Sequence, residues 1–247
     1  MPSHSPKHYA TTASGKAGNG HPLPVALRAD WDDRATRLRI LLDQQLALID
    51  RLATAPDYSQ TEFSAEAAAM GYHPTRVAEI SAMLAMSLKL SDQQVSLIRR
   101  AAPLHDLGKL AIPDEILLKP SCLTLDEFEV IKTHTVIGAR LLQRPGKRSR
   151  LLQLAEEIAG THHEHWDGTG YPVGLKGTEI PLAGRIVAVA DVFDALTRTR
   201  PYKAAWPIED AVSAVTEWRG SKFDPMIVDA FMDLYRLGRL PAYRLSA

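Results

Sequence analysis

Residues 186–190 read Ile-Val-Ala-Val-Ala, apolar on every side, and Asp191 follows them directly. A segment with no polar face reads as a helix surrounded by protein rather than one lying on its surface. A carboxylate carried into such surroundings is costly unless a cation or a hydrogen-bond donor meets it. The same conflict recurs along the chain. Ile98, Ala101 and Ala102 share one helical face and His105 continues it, while Leu151, Ala155 and Ile158 lead in the same way to His162. Singly, each residue has an ordinary explanation: a hydrogen-bonded core histidine, an Asp191–Arg185 pair, or a surface position for His134 after Lys132 and Thr133. Jointly they point to one metal site that satisfies all of them.

Most of the sequence repeats this helical spacing. Val77, Ile80, Leu84 and Leu88 form one stripe, Ala211, Val212, Val215 and Trp218 a second, and Val228, Phe231, Met232 and Tyr235 a third. Ser91 with Gln94 and Thr124 with Glu127 have capping-box spacing ahead of apolar runs. Pro181, Pro207 and Pro225 stand where a first helical residue would, with Asp224 as a cap before the last. Alternating strand patterns are scarce and no repeat is evident. The expected fold class is all-α, a helical bundle over residues 59–247.

Two segments precede the bundle. Residues 1–29 are rich in Ser, Gly, Pro, Thr and His and are expected to be a flexible tail. Residues 30–58 place Trp31, Ala35, Leu38, Leu42, Ile49 and Leu52 at helical intervals, with Gln45 as a polar break. This predicts an N-terminal helix, either packed on the bundle or forming a homodimer seam. Lys+Arg and Asp+Glu both number 29, which argues against a polymeric nucleic-acid partner and makes any phosphate site local. The single cysteine, Cys122, excludes an internal disulfide and a thiolate zinc site. No run is apolar and long enough for membrane insertion, and the first 28 residues lack a signal-type core, so the expected location is cytoplasmic.

The stretch from His162 to Pro172 carries two adjacent imidazoles, then Glu164, His165, Trp166 and Asp167, then Gly168-Thr169-Gly170-Tyr171-Pro172. Gly168 and Gly170 allow turn angles and close approach, Tyr171 offers a ring and a hydroxyl, and Pro172 stiffens the exit. Glu164 and Asp167 are read as partners that orient metal-bound histidines, and His165 as an exposed residue. Lys109, three residues after Asp106, is placed to face the same site. Arg200 and Lys203 are spaced to meet one phosphate.

Leu104-His105-Asp106-Leu107-Gly108-Lys109 looks like the signature of the HD metal-dependent phosphohydrolases. With the His-His-Glu…Gly-Tyr-Pro segment, the chain resembles the HD-GYP family of cyclic di-GMP phosphodiesterases. The likeness extends through Lys132-Thr133-His134, Asp191-Val192-Phe193-Asp194, Arg200-Pro201-Tyr202-Lys203 and Phe223-Asp224-Pro225. It covers roughly residues 70 to 232. The resemblance implies His73, His105, Asp106, His134, His162, His163 and Asp191 as metal ligands, with Asp106 bridging. It implies two divalent metal ions, iron or manganese, which nitrogen and oxygen donors suit. Some family members hold a third metal with a glutamate four residues before the early histidine; here that position is Ala69, so no third metal is expected.

The implied reaction is hydrolysis of cyclic di-GMP to pGpG, with GMP as a further product, through a metal-bridging hydroxide. Asp106 and Lys109 are the catalytic residues of that reading. Lys109, Tyr171, Arg200 and Lys203 contact the substrate, and the loop of Gly168, Gly170, Tyr171 and Pro172 borders it. A diguanylate cyclase or other regulatory protein is the expected partner. Two rivals stand beside it: a binding or scaffold protein without turnover, for which Ala69 argues, and a phosphohydrolase for another nucleotide.

Overall fold

A computed structural model describes residues 73–143, 149–198 and 205–240. The expectations for the tail, the helix at 30–58, Ala69, Arg200 and Lys203 lie outside the described residues. The helices are α1 (His73–Ser87), α2 (Asp92–Ala101), α3 (Asp114–Leu117), α4 (Leu125–Leu142), α5 (Arg150–Thr161), α6 (Leu182–Thr197), α7 (Ile208–Glu217) and α8 (Pro225–Arg236). Short 3-10 turns cover Ala102–Leu104, Leu107–Ala111 and Gly177–Glu179. No strand occurs among the described residues; the only β-type pairing there is an isolated bridge between Arg219 and Phe223.

The all-apolar segment forms the middle of the fold. Ile186, Val187, Val189, Ala190 and Phe193 of α6 are fully buried, and α1, α5, α7 and α8 all pack on that helix. Phe193 meets Phe231 of α8 edge to face at 5.0 Å. Burying each Ile, Val or Phe side chain contributes about 1.5–3 kcal/mol. Asp191 therefore sits inside α6, which runs on to Thr197, and not at a helix end.

Local signals set most helix starts as expected. Ser91–Gln94 and Thr124–Glu127 both form reciprocal capping boxes, and Asp224 caps the Met226 N–H with Pro225 in the first turn. Pro181 and Pro207 stand one position earlier than expected: each is the N-cap, with extended ψ, and the helix begins at the next residue. The stripe leading to His105 also needs correction. Helix α2 stops at Ala101, because Pro103 has no N–H to continue the ladder. The chain tightens into the Ala102–Leu104 turn, whose C-cap is His105, with its N–H bonded to the Ala102 carbonyl.

Candidate metal centre

Seven side chains from five parts of the fold meet beside α6. His73 is the first residue of α1, His105 and Asp106 lie between the two 3-10 turns, and His134 is in mid-α4. His162 caps the C-terminus of α5, His163 follows, and Asp191 comes from α6. Gly108 permits this convergence. A Cβ there would fall on the His134 carbonyl and within 2.6 Å of the Gly138 amide, so only glycine lets the turn lie against the α4 backbone.

The donors fall into two groups. Asp106, His134, His162 and His163 form one, and His73, His105 and Asp191 the other; within each, one donor atom per residue lies within 4.8 Å of all the others. Asp106 stands between them. Its Oδ1 is 3.3 Å from His134 Nε2 and 3.8 Å from His162 Nε2, while its Oδ2 is 3.3 Å from His105 Nε2. Asp191 Oδ1 is 3.2 Å from His73 Nε2 and 3.8 Å from His105 Nε2. Every residue expected from the sequence as a ligand is in one group or the other.

The imidazoles are oriented from behind. Nδ1–H of His105 donates to the Ala102 carbonyl at 2.9 Å, that of His134 to Ile131 at 2.7 Å, and that of His162 to Ile158 at 3.1 Å. A carbonyl can only accept, so each proton is on Nδ1 and each Nε2 is aimed into the cage. Burial, with the neighbouring His162, lowers the His134 pKa to about 4. Its bare Nε2 lone pair thus faces a carboxylate oxygen at 3.3 Å. Two acceptors at that range repel, and a cation between them removes the conflict. His105 Nε2 and Asp106 Oδ1 are also buried without a hydrogen-bond partner. These orphaned polar atoms fit a bound metal.

The two donor groups differ in charge: burial and neighbouring imidazoles hold His134 and His163 neutral, while carboxylates favour the charged form of His73. Burial opposes a charge on His73, yet its hydrogen bonds to Asp191 and Asp194 outweigh that and raise its pKa to about 9. Burial likewise opposes the charge on Asp106, but His105 beside it and Lys109 hold the carboxyl well below its ordinary value. Lys109 Nζ donates to Asp106 Oδ2, so the lysine does face the site.

Several expectations change. Glu164 orients no histidine: its buried carboxylate accepts the backbone N–H groups of Val173, Gly174 and Leu175, so it holds the loop that follows. The chain reverses after His163, which turns position 164 away from the cage. Asp167 closes a local turn by accepting from the Thr169 amide and hydroxyl. His165 is half-buried, bonded through Nδ1 to Thr169 Oγ1, and belongs to neither donor group. Arg185 pairs with Asp224 and not with Asp191. Asp194, Asp191's neighbour one turn on, was not singled out. Its carboxylate accepts from His73 Nδ1 at 2.6 Å and from Arg76 Nε at 2.5 Å and Nη2 at 3.2 Å. The i, i+3 spacing of two acids on an apolar helix was the available signal.

The Gly-Tyr-Pro loop is shaped as its residues suggest. Gly168 has φ +85, and a Cβ on Gly170 would strike the backbone of Glu164 and His165. Tyr171 stacks on His163 with centroids 4.8 Å apart, and its N–H bonds the His163 carbonyl. The loop therefore roofs the donor group that contains His163.

The HD domain family matches residues 58–227. A cyclic di-GMP phosphodiesterase of Thermotoga maritima is 51% identical over 162 residues, 66% of this chain and 44% of that protein. The cyclic di-GMP phosphodiesterase response regulator RpfG of Xanthomonas campestris pv. campestris is 46% identical over 190 residues, 77% of this chain and 48% of that protein. The chain thus spans under half the length of either. A solved structure of Bd1817, an HDG"Y"P protein from Bdellovibrio bacteriovorus, has TM-score 0.59 at 18% identity, over 85% of this chain and 70% of that one. This last likeness concerns the fold alone.

Proposed function

Because the chain belongs to the HD domain family, whose match spans residues 58–227, we propose that it is a metal-dependent phosphodiesterase opening cyclic di-GMP to pGpG. GMP is the product if a second cut follows. The observation behind this reading is the pair of donor groups joined through the two oxygens of Asp106. The proposed occupants are two divalent cations, iron or manganese, which suit a cage of imidazoles and carboxylates without thiolate. When bound, such a pair activates water and neutralises phosphoryl charge, as phosphodiester cleavage requires.

The protein's own groups supply the rest. Asp106, held anionic, and the backbone-anchored imidazoles keep their donor atoms aimed into the two donor groups. Lys109 keeps an ammonium beside Asp106, where it offsets charge building on phosphorus. Tyr171 walls the cage next to His163. Arg200 and Lys203 are proposed as further phosphate contacts.

The proposed setting is the cytoplasm; among the described residues no helix is long and apolar enough to cross a membrane. Residues 30–58 are proposed as the seam with a second copy, and a diguanylate cyclase or other regulator as the controlling partner. Deleting residues 1–55 should halve the solution mass, and an unchanged mass removes the seam.

The central test is anaerobic loading with iron or manganese, followed by chromatography of the products formed from cyclic di-GMP. Conversion should stop with EDTA and return with added Mn²⁺. The thermal midpoint should fall with the metal and recover with it, since a cation bound only to the folded state stabilises by about 4 kcal/mol at a thousandfold excess over its Kd. Tight binding of cyclic di-GMP without product in either metal would make the protein a receptor. Faster turnover of unrelated nucleotides would change the substrate.

A further inference from the structure

Phe128 is an aromatic ring that neither the core nor the metal cage uses. It stands in the first turn of α4, 44% exposed, although a ring of its size gains from burial. It meets Tyr171 edge to face at 6.4 Å, and Tyr171 in turn stacks on His163 at 4.8 Å. Three rings in successive contact therefore connect a proposed ligand to the open surface.

Lys132 lies one turn further along α4. Its Nζ is 5.4 Å from the Phe128 centroid and 5.7 Å from that of Tyr171. The ammonium's carboxylate partner is Glu129, a side chain 68% exposed at i, i+3. A pair of that kind contributes little and is readily exchanged for another anion. The rim beside His163 thus presents an accessible aromatic face with a cation next to it.

We propose that Phe128 and Lys132 form the subsite for the half of the cyclic dinucleotide that is not cut. The Phe128 ring stacks on a purine base and the Lys132 ammonium faces the second phosphate. The inference rests on the phosphodiesterase reading and adds to it how the substrate is held. A cyclic dinucleotide carries two phosphates and two bases. With one phosphate at the cage, each base and the second phosphate lie beyond a ribose, so the substrate must extend outward past His163, and Tyr171 and Phe128 are the rings next to it there. Stacking accepts any base, because each offers a π face. The subsite therefore raises affinity for purine dinucleotides without selecting guanine over adenine.

Kinetics of the metal-loaded protein test this with cyclic di-GMP and with methyl p-nitrophenyl phosphate, a diester that has no base. Stacking of one base corresponds to about 5- to 150-fold in affinity. Phe128→Ala should raise KM for cyclic di-GMP by about tenfold with little change in kcat, a loss far larger than on the base-free diester. Phe128→Trp should restore KM. Lys132→Ala should also raise KM for cyclic di-GMP, and Lys132→Arg should recover it. A cyclic dinucleotide containing 2-aminopurine gives a second readout: its fluorescence should be quenched on binding, and less so with Phe128→Ala. Equal losses on both diesters, or unchanged KM and quenching, overturn the subsite. If the unaltered protein turns over neither diester, the phosphodiesterase reading fails, and the quenching still decides whether Phe128 meets a base.

Discussion

Asp106→Ala should abolish turnover of cyclic di-GMP and reduce bound metal from two ions per chain to one or none. Among the described residues Asp106 is the one that bridges the two donor groups through both its oxygens, with Oδ1 toward His134 and His162 and Oδ2 toward His105. Substituting a residue that only orients a ligand costs about 10–100-fold in affinity or activity. Loss of a ligand shared by both groups should exceed that range. The substitution also removes the anion that offsets the imidazoles around it and leaves Lys109 without its carboxylate. The cage then loses its strongest attraction for cations at the moment it loses its geometry. Elemental analysis of the purified variant, beside circular dichroism to confirm the helical fold, reads this directly. Two ions retained in a folded Asp106→Ala protein would show that the groups bind independently, and the bridging role would be lost.

The sequence exposes those cage residues that conflict with their surroundings. His105, His162 and Asp191 each prolong an apolar stripe, and all three point into the cage. His134 reads singly as a surface residue after Lys132 and Thr133, and only its joint occurrence with the others and the motif likeness raise it, although it is fully buried. Asp194 escaped because periodicity shows which face a residue occupies and not what meets it there. Its partners His73 and Arg76 lie 121 and 118 residues earlier. Glu164 was misread for a related reason: adjacency in sequence to His163 says nothing of direction once the chain turns. The end of α2 at Ala101 was legible in Pro103 but overridden by the apolar spacing that continues past it. Phe128 was not singled out, since exposure is a property of packing that spacing alone does not give.

Asp194→Ala should be the most destabilising single change near the cage, by about 3–5 kcal/mol. Asp194 has no exposed surface and Arg76 very little, so removing the carboxylate takes from a buried guanidinium two of its charge-assisted bonds. The imidazole of His73 loses its Nδ1 anchor as well. Binding at the His73, His105 and Asp191 group should therefore weaken by about 10–100-fold while the Asp106 group keeps its ligands. Asp194→Asn separates shape from charge, because it fills the same space with a neutral acceptor. Burial opposes the charge on Asp194, but hydrogen bonds from His73 and Arg76 outweigh it and hold the folded pKa below the ordinary 3.8. A depressed carboxylate pKa gives stability that is complete above the unfolded value and is lost as pH falls through the folded one. The stability gap between the parent protein and Asp194→Asn should thus be full at neutral pH and close in the acid range below about 3.8. Urea midpoints measured across that range test it, and a gap that stays constant into acid would assign the effect of Asp194 to packing and not to its charge.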